Sequence, residues 1–120
     1  MKRVLVVDDE EALRRLYGEC FKEAGYQVWL AADGQEALDL ILESCPDILF
    51  SDVNMPVMGG IELLERLQKA EKVPPITVLL SGALTEQIRR RALEYGATAV
   101  LSKSTPQQNL EVVERLAAGL

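Results

Sequence analysis

The sequence predicts an α/β fold in which one parallel sheet is covered by helices on both faces. Short β-type runs alternate five times with stretches whose apolar residues recur every three or four positions. The first of these runs, at residues 4–7, is apolar throughout, as expected of a strand buried on both sides. Dividing the 120 residues among five strand–helix units gives about 24 residues each, which is near the minimum for a parallel crossover.

The first strand–helix unit begins at the amino end of the chain. After the strand at 4–7, apolar residues at helical spacing predict an amphipathic helix over residues 11–24. Gly25 ends this helix because glycine readily adopts the left-handed conformation of a C-terminal cap. A second strand is predicted at 26–31.

The middle of the chain continues the same alternation. Asp33 is a suitable N-cap for the second helix, with Glu36 three residues later in the capping-box position. The third strand is predicted at 47–50. A loop rich in proline and glycine at 56–60 then leads to a third helix, whose apolar residues begin at 61 and continue to 67.

Two prolines precede the last two units. The fourth strand is predicted at 76–80, and Thr85 caps a helix that Gly96 ends. The fifth strand is predicted at 97–101. Thr105 begins the last helix, with proline at its first position and glutamine at its third, and the helix is expected to run to about residue 118.

The alternation predicts an open, doubly wound sheet of flavodoxin-like order 2-1-3-4-5. We expect one domain over residues 1–120, because no linker or low-complexity segment interrupts it. Sheets of this kind bind ligands beyond the carboxyl ends of their strands, where the strand order reverses. Functional side chains are therefore sought at that edge.

Composition excludes several classes of function. The 13 Lys and Arg against 19 Asp and Glu give a net charge of −6, which makes direct nucleic-acid binding unfavourable. Histidine is absent from the sequence, which excludes Ser-His triads and His-ligated zinc. Cys20 and Cys45 are far apart and suit a reducing compartment, and no apolar run is long enough for a membrane span. We therefore expect a cytoplasmic protein.

Charged and polar side chains follow four of the five strands. Asp8 and Asp9 follow the first strand, Asp52 the third, Ser81 the fourth and Lys103 the fifth. Two carboxylates about 4 Å apart repel by roughly 4 kcal/mol at an effective dielectric near 20. Protonation, the lysine ammonium or a divalent cation must offset this repulsion, and Mg²⁺ suits such a site. An acidic group with an ammonium and a hydroxyl also suits a phosphoryl group.

Each of these residues has a purely structural alternative when it is taken alone. Asp9 could cap the first helix, and Asp52 could form a turn with Asn54. Ser81 precedes a glycine, as is common where a strand enters a loop, and Lys103 could be a solvated surface lysine. Their joint placement at one edge favours a functional site.

The chain resembles the receiver domains of two-component response regulators, and is chemotaxis-regulator-like. The resemblance covers essentially the whole chain, and the matching stretches are residues 4–9, 51–60, 80–82 and 101–103. The Asp-x-x-Met-Pro-x-Met-x-Gly pattern that begins at Asp52 is highly specific. The resemblance implies that Asp52 is the phosphoacceptor, that Ser81 hydrogen-bonds the phosphoryl group and that Lys103 forms an ion pair with it.

The resemblance also implies a Mg²⁺ site. Asp9 would bind the ion directly, Asp8 would act largely through water, and Asp52 would complete the carboxylate ligands. Asn54 would contribute its backbone carbonyl.

Three departures from the family pattern bear on the switch. Ser104 follows the lysine where the family usually has a proline in a cis peptide, so the geometry of this bond is left open; a proline appears only at Pro106. Val100 stands where the family usually has an aromatic residue that swings inward, so this part of the switch should be missing or altered. Residues 96–99 lack the acidic pair that is common in receivers joined to winged-helix outputs.

The expected partners follow from the same resemblance. A histidine kinase or a histidine phosphotransfer protein would supply the phosphoryl group, and an effector domain or protein would act downstream. No direct nucleic-acid or membrane partner is expected. Arg89–Arg91 give the fourth helix either a solvated or a docking face, and a dimer could form through the fourth helix, fifth strand and fifth helix.

Other functions stay open from the residues alone. The chain could be a phosphorylation-independent binding module, which the Ser104 and Val100 departures favour. A small Mg²⁺-dependent aspartyl-phosphate phosphatase shares the acidic strand ends, although such enzymes carry Asp-x-Asp and this chain has adjacent Asp8 and Asp9. An FMN flavodoxin lacks support, because no hydroxyl-rich phosphate loop follows the first strand.

Overall fold

A computed structural model describes residues 2–119, and within them the chain forms five strands and five helices. The strands are β1 (Arg3–Val7), β2 (Gln27–Ala31), β3 (Ile48–Asp52), β4 (Ile76–Ser81) and β5 (Ala99–Ser102). The helices are α1 (Glu11–Glu23), α2 (Gly34–Glu43), α3 (Gly60–Lys69), α4 (Glu86–Glu94) and α5 (Pro106–Ala117). All strand pairs are parallel and the order is β2-β1-β3-β4-β5. The predicted fold class and strand order are confirmed.

The sheet separates two apolar layers, because neighbouring residues of a strand face opposite sides. Helices α1 and α5 cover one face, where Val4, Phe50 and Val78 pack against Tyr17 and Phe21 of α1. Helices α2, α3 and α4 cover the other face, whose strand residues are Leu5, Val7, Leu49, Leu79 and Val100. Nearly all of these side chains are excluded from solvent, so the central strands are held rigidly between two layers.

The predicted helix caps at Asp33, Thr85 and Thr105 are present. Each of the three side chains accepts a hydrogen bond from the backbone N–H three residues later. At Thr105 the bond is reciprocal, since the Gln108 side chain accepts from the Thr105 N–H. The beginning of α5 is therefore fixed on its own, before any packing against the sheet is considered.

The predicted start of β5 is wrong by two residues. The Ala97 N–H donates to the carbonyl of Ala92 at 3.0 Å and so belongs to the turn that ends α4. Gly96 makes this turn possible with a φ of 103°. Pairing with β4 begins only after the Thr98 N–H donates to the carbonyl of Thr77 at 2.7 Å.

Two apolar residues of α1 lie at the flank of the helix and not on its inner face. Leu16 is 47% exposed and Cys20 is only half-buried, because Tyr17 and Phe21 fill the space between the helix and the sheet. Trp29 lies on the edge strand β2, and its ring stacks against the Arg3 guanidinium at 4.7 Å. Among residues 2–119, none of the helices has the length and apolar character needed to cross a bilayer.

Candidate functional site

The carboxyl ends of the strands bring the predicted polar residues to one edge of the sheet. Asp52 is the last residue of β3 and Ser81 the last of β4, while Asp8 and Lys103 directly follow β1 and β5. Asp8, Asp9 and Asp52 each present a carboxylate oxygen, and these oxygens lie within 4.8 Å of one another. The convergence expected from the strand order is present.

Asp8 is the buried member of the adjacent acidic pair. It is 2% exposed, and its Oδ1 accepts a hydrogen bond from the Glu10 N–H at 2.9 Å. Its carbonyl oxygen accepts from the Arg14 guanidinium at 2.8 Å. Burial raises the pKa of the Asp8 carboxyl; the Glu10 N–H opposes this rise, and the Asp52 charge adds to it.

Asp9 is exposed and does not cap α1. The N-cap residue is Glu10, and no side chain accepts a hydrogen bond there. The structural alternative in which Asp9 caps this helix is therefore wrong. The reason is that the helix begins one residue later than that alternative requires, which leaves the Asp9 carboxylate exposed beside the other two acids.

Asp52 is held from two sides. Its side chain is 5% exposed, and Oδ2 accepts a hydrogen bond from the Lys103 ammonium at 2.9 Å. Its Oδ1 accepts a longer bond from the Asn54 N–H at 3.3 Å. The turn between Asp52 and Asn54 is therefore real, and it coexists with the ion pair.

Lys103 is not the solvated surface lysine of the structural alternative. Burial lowers the pKa of its ammonium, but the hydrogen bond and the charge of Asp52 outweigh burial and raise the pKa above its usual value. The Lys103 backbone N–H donates to the carbonyl of Ser81 at 3.0 Å. Lys103 thus joins β3, β4 and β5 at the functional edge.

Ser81 is fully buried, and its hydroxyl controls the start of the loop that follows β4. Its Oγ accepts a hydrogen bond from the Ala83 N–H at 3.3 Å. The hydroxyl proton stays available to an acceptor at the site. On the opposite side of Asp52, Gly60 lets α3 approach closely, since a Cβ there would lie 2.5 Å from the Asp52 carbonyl oxygen.

A second polar group lies behind the site and was missed from the sequence. Tyr17 and Asn109 are both buried, and the tyrosine hydroxyl donates to Asn109 Oδ1 at 3.1 Å. Asn109 Nδ2 donates in turn to the carbonyl of Ser102 at 3.4 Å. Burial raises the pKa of the Tyr17 hydroxyl, which also senses the charges of Lys103 and Asp8. The available signal was an asparagine at helical spacing from Val113 on the inner face of α5.

Comparison with known proteins identifies the family. The family model described as the response regulator receiver domain matches residues 4–114. The chain belongs to this family. Sporulation initiation phosphotransferase F of Bacillus subtilis is 31% identical over 102 residues, which are 85% of this chain and 82% of that protein.

Other relatives show that receiver domains of this kind occur within larger proteins. Sensor histidine kinase RcsC of Salmonella typhimurium is 39% identical over 100 residues, which are 83% of this chain and 10% of the kinase. The chain therefore spans about a tenth of the length of that relative. Among solved structures, chemotaxis protein CheY4 of Vibrio cholerae superposes with a TM-score of 0.89 at 32% identity, covering 97% of this chain and 98% of that one.

Two departures from the usual receiver pattern have a structural outcome. All peptide bonds among the described residues are trans, the bond between Lys103 and Ser104 included. Val100 is 2% exposed and packs in the apolar layer beneath α4, directly opposite Leu79 of β4. This position therefore holds a small fixed core residue.

The donor set of the acidic group fits a hard divalent cation. Receiver domains bind Mg²⁺ at an acidic pocket, and here the three carboxylates offer oxygens within 4.8 Å of one another. Carboxylate oxygens are the protein ligands that Mg²⁺ prefers, and the exposure of Asp9 leaves room for the waters that this ion retains.

Proposed function

We propose that the chain is a phosphorylation-controlled switch whose phosphoacceptor is Asp52. The observation that carries this proposal is the setting of the Asp52 carboxylate. It is buried, it is hydrogen-bonded to the Lys103 ammonium at 2.9 Å, and it lies beside two further acids. A structural aspartate at a strand end needs no such surroundings. A carboxylate that must receive a highly charged group needs both a fixed cation and a metal site.

The proposed reaction is an in-line transfer. An oxygen of Asp52 attacks phosphorus, the bond between phosphorus and the donor's imidazole nitrogen or acyl oxygen breaks, and the donor leaves with that electron pair. The product is an acyl phosphate, which water later hydrolyses back to the carboxylate. Oδ1 is the freer nucleophile, because its only hydrogen bond within the described residues is the long one from Asn54.

The chain's own groups hold and balance the incoming charge. Lys103 is placed to pair with the phosphoryl oxygens, and the Ser81 hydroxyl to donate a hydrogen bond to one of them. Asp8, Asp9, Asp52 and the Asn54 backbone carbonyl would hold Mg²⁺. When bound, this ion neutralises charge on the phosphoryl oxygens.

The output follows from Ser81. Its Oγ now accepts the Ala83 N–H, so donation to a phosphoryl group would draw in the loop that leads to α4 and change the exposed face of that helix. The phosphoryl donor is a histidine kinase or a histidine phosphotransfer protein, since the chain has no histidine. An effector domain or protein reads the altered face. Dimerisation through the α4–β5–α5 face and a cytoplasmic location stay predictions.

Intact mass spectrometry tests this proposal. The protein is incubated with Mg²⁺ and acetyl phosphate, and one phosphoryl adduct is expected on wild type and none on Asp52→Asn. Asp39→Asn is the matched control, because Asp39 is an exposed acid on α2 away from the site and its adduct should equal that of wild type. An unmodified wild type, or an undiminished adduct on Asp52→Asn, contradicts the proposal.

A binding module that works without phosphorylation is the second candidate. It is favoured by Val100, whose small buried side chain replaces the moving aromatic of the usual switch. Its signature is partner affinity that is equal for wild type, phosphorylated wild type and Asp52→Asn. Steady turnover of a generic phosphate ester would instead identify a phosphatase.

A further inference from the structure

The segment between β5 and α5 is short and carries Lys103, whose ammonium group pairs with Asp52. Only Lys103, Ser104 and Thr105 separate Ser102, the last residue of β5, from Pro106, the first of α5. Lysine has a flexible four-carbon stem. The position of its ammonium group therefore depends on how firmly this short segment is held.

Hydrogen bonds hold the segment at both ends. The Lys103 N–H donates to the carbonyl of Ser81 at 3.0 Å, which fixes the strand side. On the helix side, Thr105 forms the capping box with Gln108, and the Thr105 carbonyl accepts from the Asn109 N–H at 3.1 Å. A serine at position 104 brings no ring to restrict φ, so these bonds supply the rigidity.

Asn109 links the helix end of the segment to its strand end. Its backbone belongs to the first turns of α5, whereas its side-chain Nδ2 donates to the carbonyl of Ser102 at 3.4 Å. That carbonyl belongs to the peptide unit whose N–H is that of Lys103. Asn109 and Ser81 therefore hydrogen-bond to the carbonyl and to the N–H of the same peptide unit, the one that joins Ser102 to Lys103.

Tyr17 fixes the orientation of Asn109. Its hydroxyl donates to Asn109 Oδ1 at 3.1 Å, which leaves Nδ2 directed to Ser102. The Tyr17 ring is itself held against Phe50 at 4.9 Å between centroids. The chain of contacts thus runs from the core through the tyrosine and the asparagine to the backbone beside the lysine.

A buried asparagine in this place needs an explanation beyond packing. Asn109 is 2% exposed, and the residues one and two turns later on the same face, Val113 and Ala117, are apolar and buried. Burying an amide is unfavourable unless its groups are paired. An apolar residue would fill this position without that cost, so the amide is retained for what it holds.

We propose that Asn109, oriented by Tyr17, is a positioning residue for phosphoryl transfer: it anchors the Ser102 carbonyl and thereby holds the Lys103 ammonium on Asp52. The role rests on the proposed function of Asp52. It predicts a loss in the transfer rate without an equal loss in Mg²⁺ affinity, because Lys103 supports the transferred group and is not among the proposed metal ligands.

The test compares three variants with wild type. Asn109→Leu keeps the number and branching of the side-chain heavy atoms and removes both hydrogen bonds, and Tyr17→Phe removes only the hydroxyl. Val113→Ala is the matched control, since it lies one turn further along the buried face of α5 and destabilises the helix without touching the segment. Each protein is assayed for urea unfolding, Mg²⁺ affinity by calorimetry, and phosphorylation rate with acetyl phosphate.

Asn109→Leu should phosphorylate about tenfold more slowly and Tyr17→Phe about threefold, as small misplacements of a reacting group do. Their Mg²⁺ affinities should stay within about twofold of wild type. Val113→Ala should lose stability and keep its rate. Equal rates in wild type and Asn109→Leu, or an equal slowing in Val113→Ala, would overturn the proposal. If Asn109→Leu does not fold, the phosphorylation rate of Tyr17→Phe tests the proposal, and a rate equal to that of wild type would overturn it.

A second measurement separates this inference from the function itself. The protein is labelled with ¹⁵N-lysine. Pairing with Asp52 should slow the exchange of the Lys103 ammonium protons with water, so that the ¹H–¹⁵N signal of this ammonium group becomes visible by NMR. We expect the signal in wild type and Val113→Ala, and its loss in Asn109→Leu. Persistence in Asn109→Leu refutes the positioning role. Absence of phosphorylation in wild type refutes the proposed function and leaves this NMR comparison valid.

Discussion

Replacing Asp8 by asparagine should make the metal-free protein more stable at neutral pH. The oxygens of Asp8 and Asp52 lie within 4.8 Å, which corresponds to a repulsion of about 3.5 kcal/mol between full charges at an effective dielectric near 20. Attraction between Asp8 and Lys103 offsets part of this repulsion. Asparagine keeps an oxygen that can accept the Glu10 N–H. The net gain should be about 1–2 kcal/mol in the free energy of unfolding.

The pH dependence has a definite sign. The pKa of Asp8 is raised in the folded protein above its ordinary value of 3.8, first by burial and then by the Asp52 charge. The folded state therefore binds the proton more tightly than the unfolded state does. This contribution to stability is fully present below pH 3.8 and is lost as the pH rises through the folded pKa. The gain from Asp8→Asn should thus grow from pH 4 towards pH 7.

Urea unfolding in EDTA, at several pH values, measures this effect as a shift of the midpoint at constant slope. Asp9→Asn is the control for position. Because Asp9 is exposed and solvent screens its charge, this substitution should raise the free energy of unfolding by less than Asp8→Asn does. Adding Mg²⁺ should stabilise wild type more than Asp8→Asn, in proportion to its affinity for each. An Asp8→Asn protein less stable than wild type at pH 7 in EDTA would refute the reasoning.

Two backbone predictions concern the neighbouring loops. Val57 is β-branched, 79% exposed and at a φ of 68°, so Val57→Gly should raise the free energy of unfolding by about 1 kcal/mol. Glu71→Gly, at a φ of 56°, should raise it by a smaller amount. An unchanged or lower urea midpoint for Val57→Gly contradicts this prediction. Gly34→Ala should cost about 3 kcal/mol or more, because its Cβ would lie 2.3 Å from the Met58 carbonyl oxygen. Gly82→Ala, with nothing within 4 Å, is the control, and equal melting temperatures of the two alanine variants would show that the close approach is unimportant.

The alternation of apolar periods was sufficient to predict the architecture. Parallel strands need crossovers, and five such units with helices on both faces of the sheet favour a doubly wound order such as 2-1-3-4-5. The strand order in turn predicted that the ends of β1 and β3 meet, so the convergence of Asp8, Asp9 and Asp52 followed from the topology, whereas the pairing of Lys103 with Asp52 was implied by the family resemblance. The specific run that begins at Asp52 then added the family.

Details that depend on competition between hydrogen bonds could not be read from the sequence. Asp9 is a good cap by residue type, yet α1 begins one residue later, with Glu10 at its N-cap position. The start of β5 shifted because Ala97 completes the end of α4. The pairing of Tyr17 with Asn109 joins residues 92 positions apart, and no local pattern encodes such a contact.

The charge balance at the strand ends links the stability of the domain to its proposed switch. Three carboxylates and one ammonium leave a net charge of −2 in a partly buried site, which opposes folding unless a cation binds. Phosphorylation of Asp52 would replace one carboxylate charge by a phosphoryl group of about −1.5 to −2. Lys103 already pairs with Asp52, so it can offset only part of this increase.

Ser81 is the other group of the site that could stabilise the charge added at Asp52. Its hydroxyl is buried beside Lys103, whose N–H bonds to the Ser81 carbonyl, and it now satisfies only the Ala83 N–H at 3.3 Å. A hydrogen bond donated by this hydroxyl to a charged phosphoryl oxygen would be roughly twice as strong as a neutral one. Because Ser81 Oγ can donate its proton to a phosphoryl oxygen while it still accepts the Ala83 N–H, a movement of this side chain would draw the loop before α4 with it. This loop leads to the exposed face of α4, so its movement would allow a charge added at Asp52 to be read at a distance.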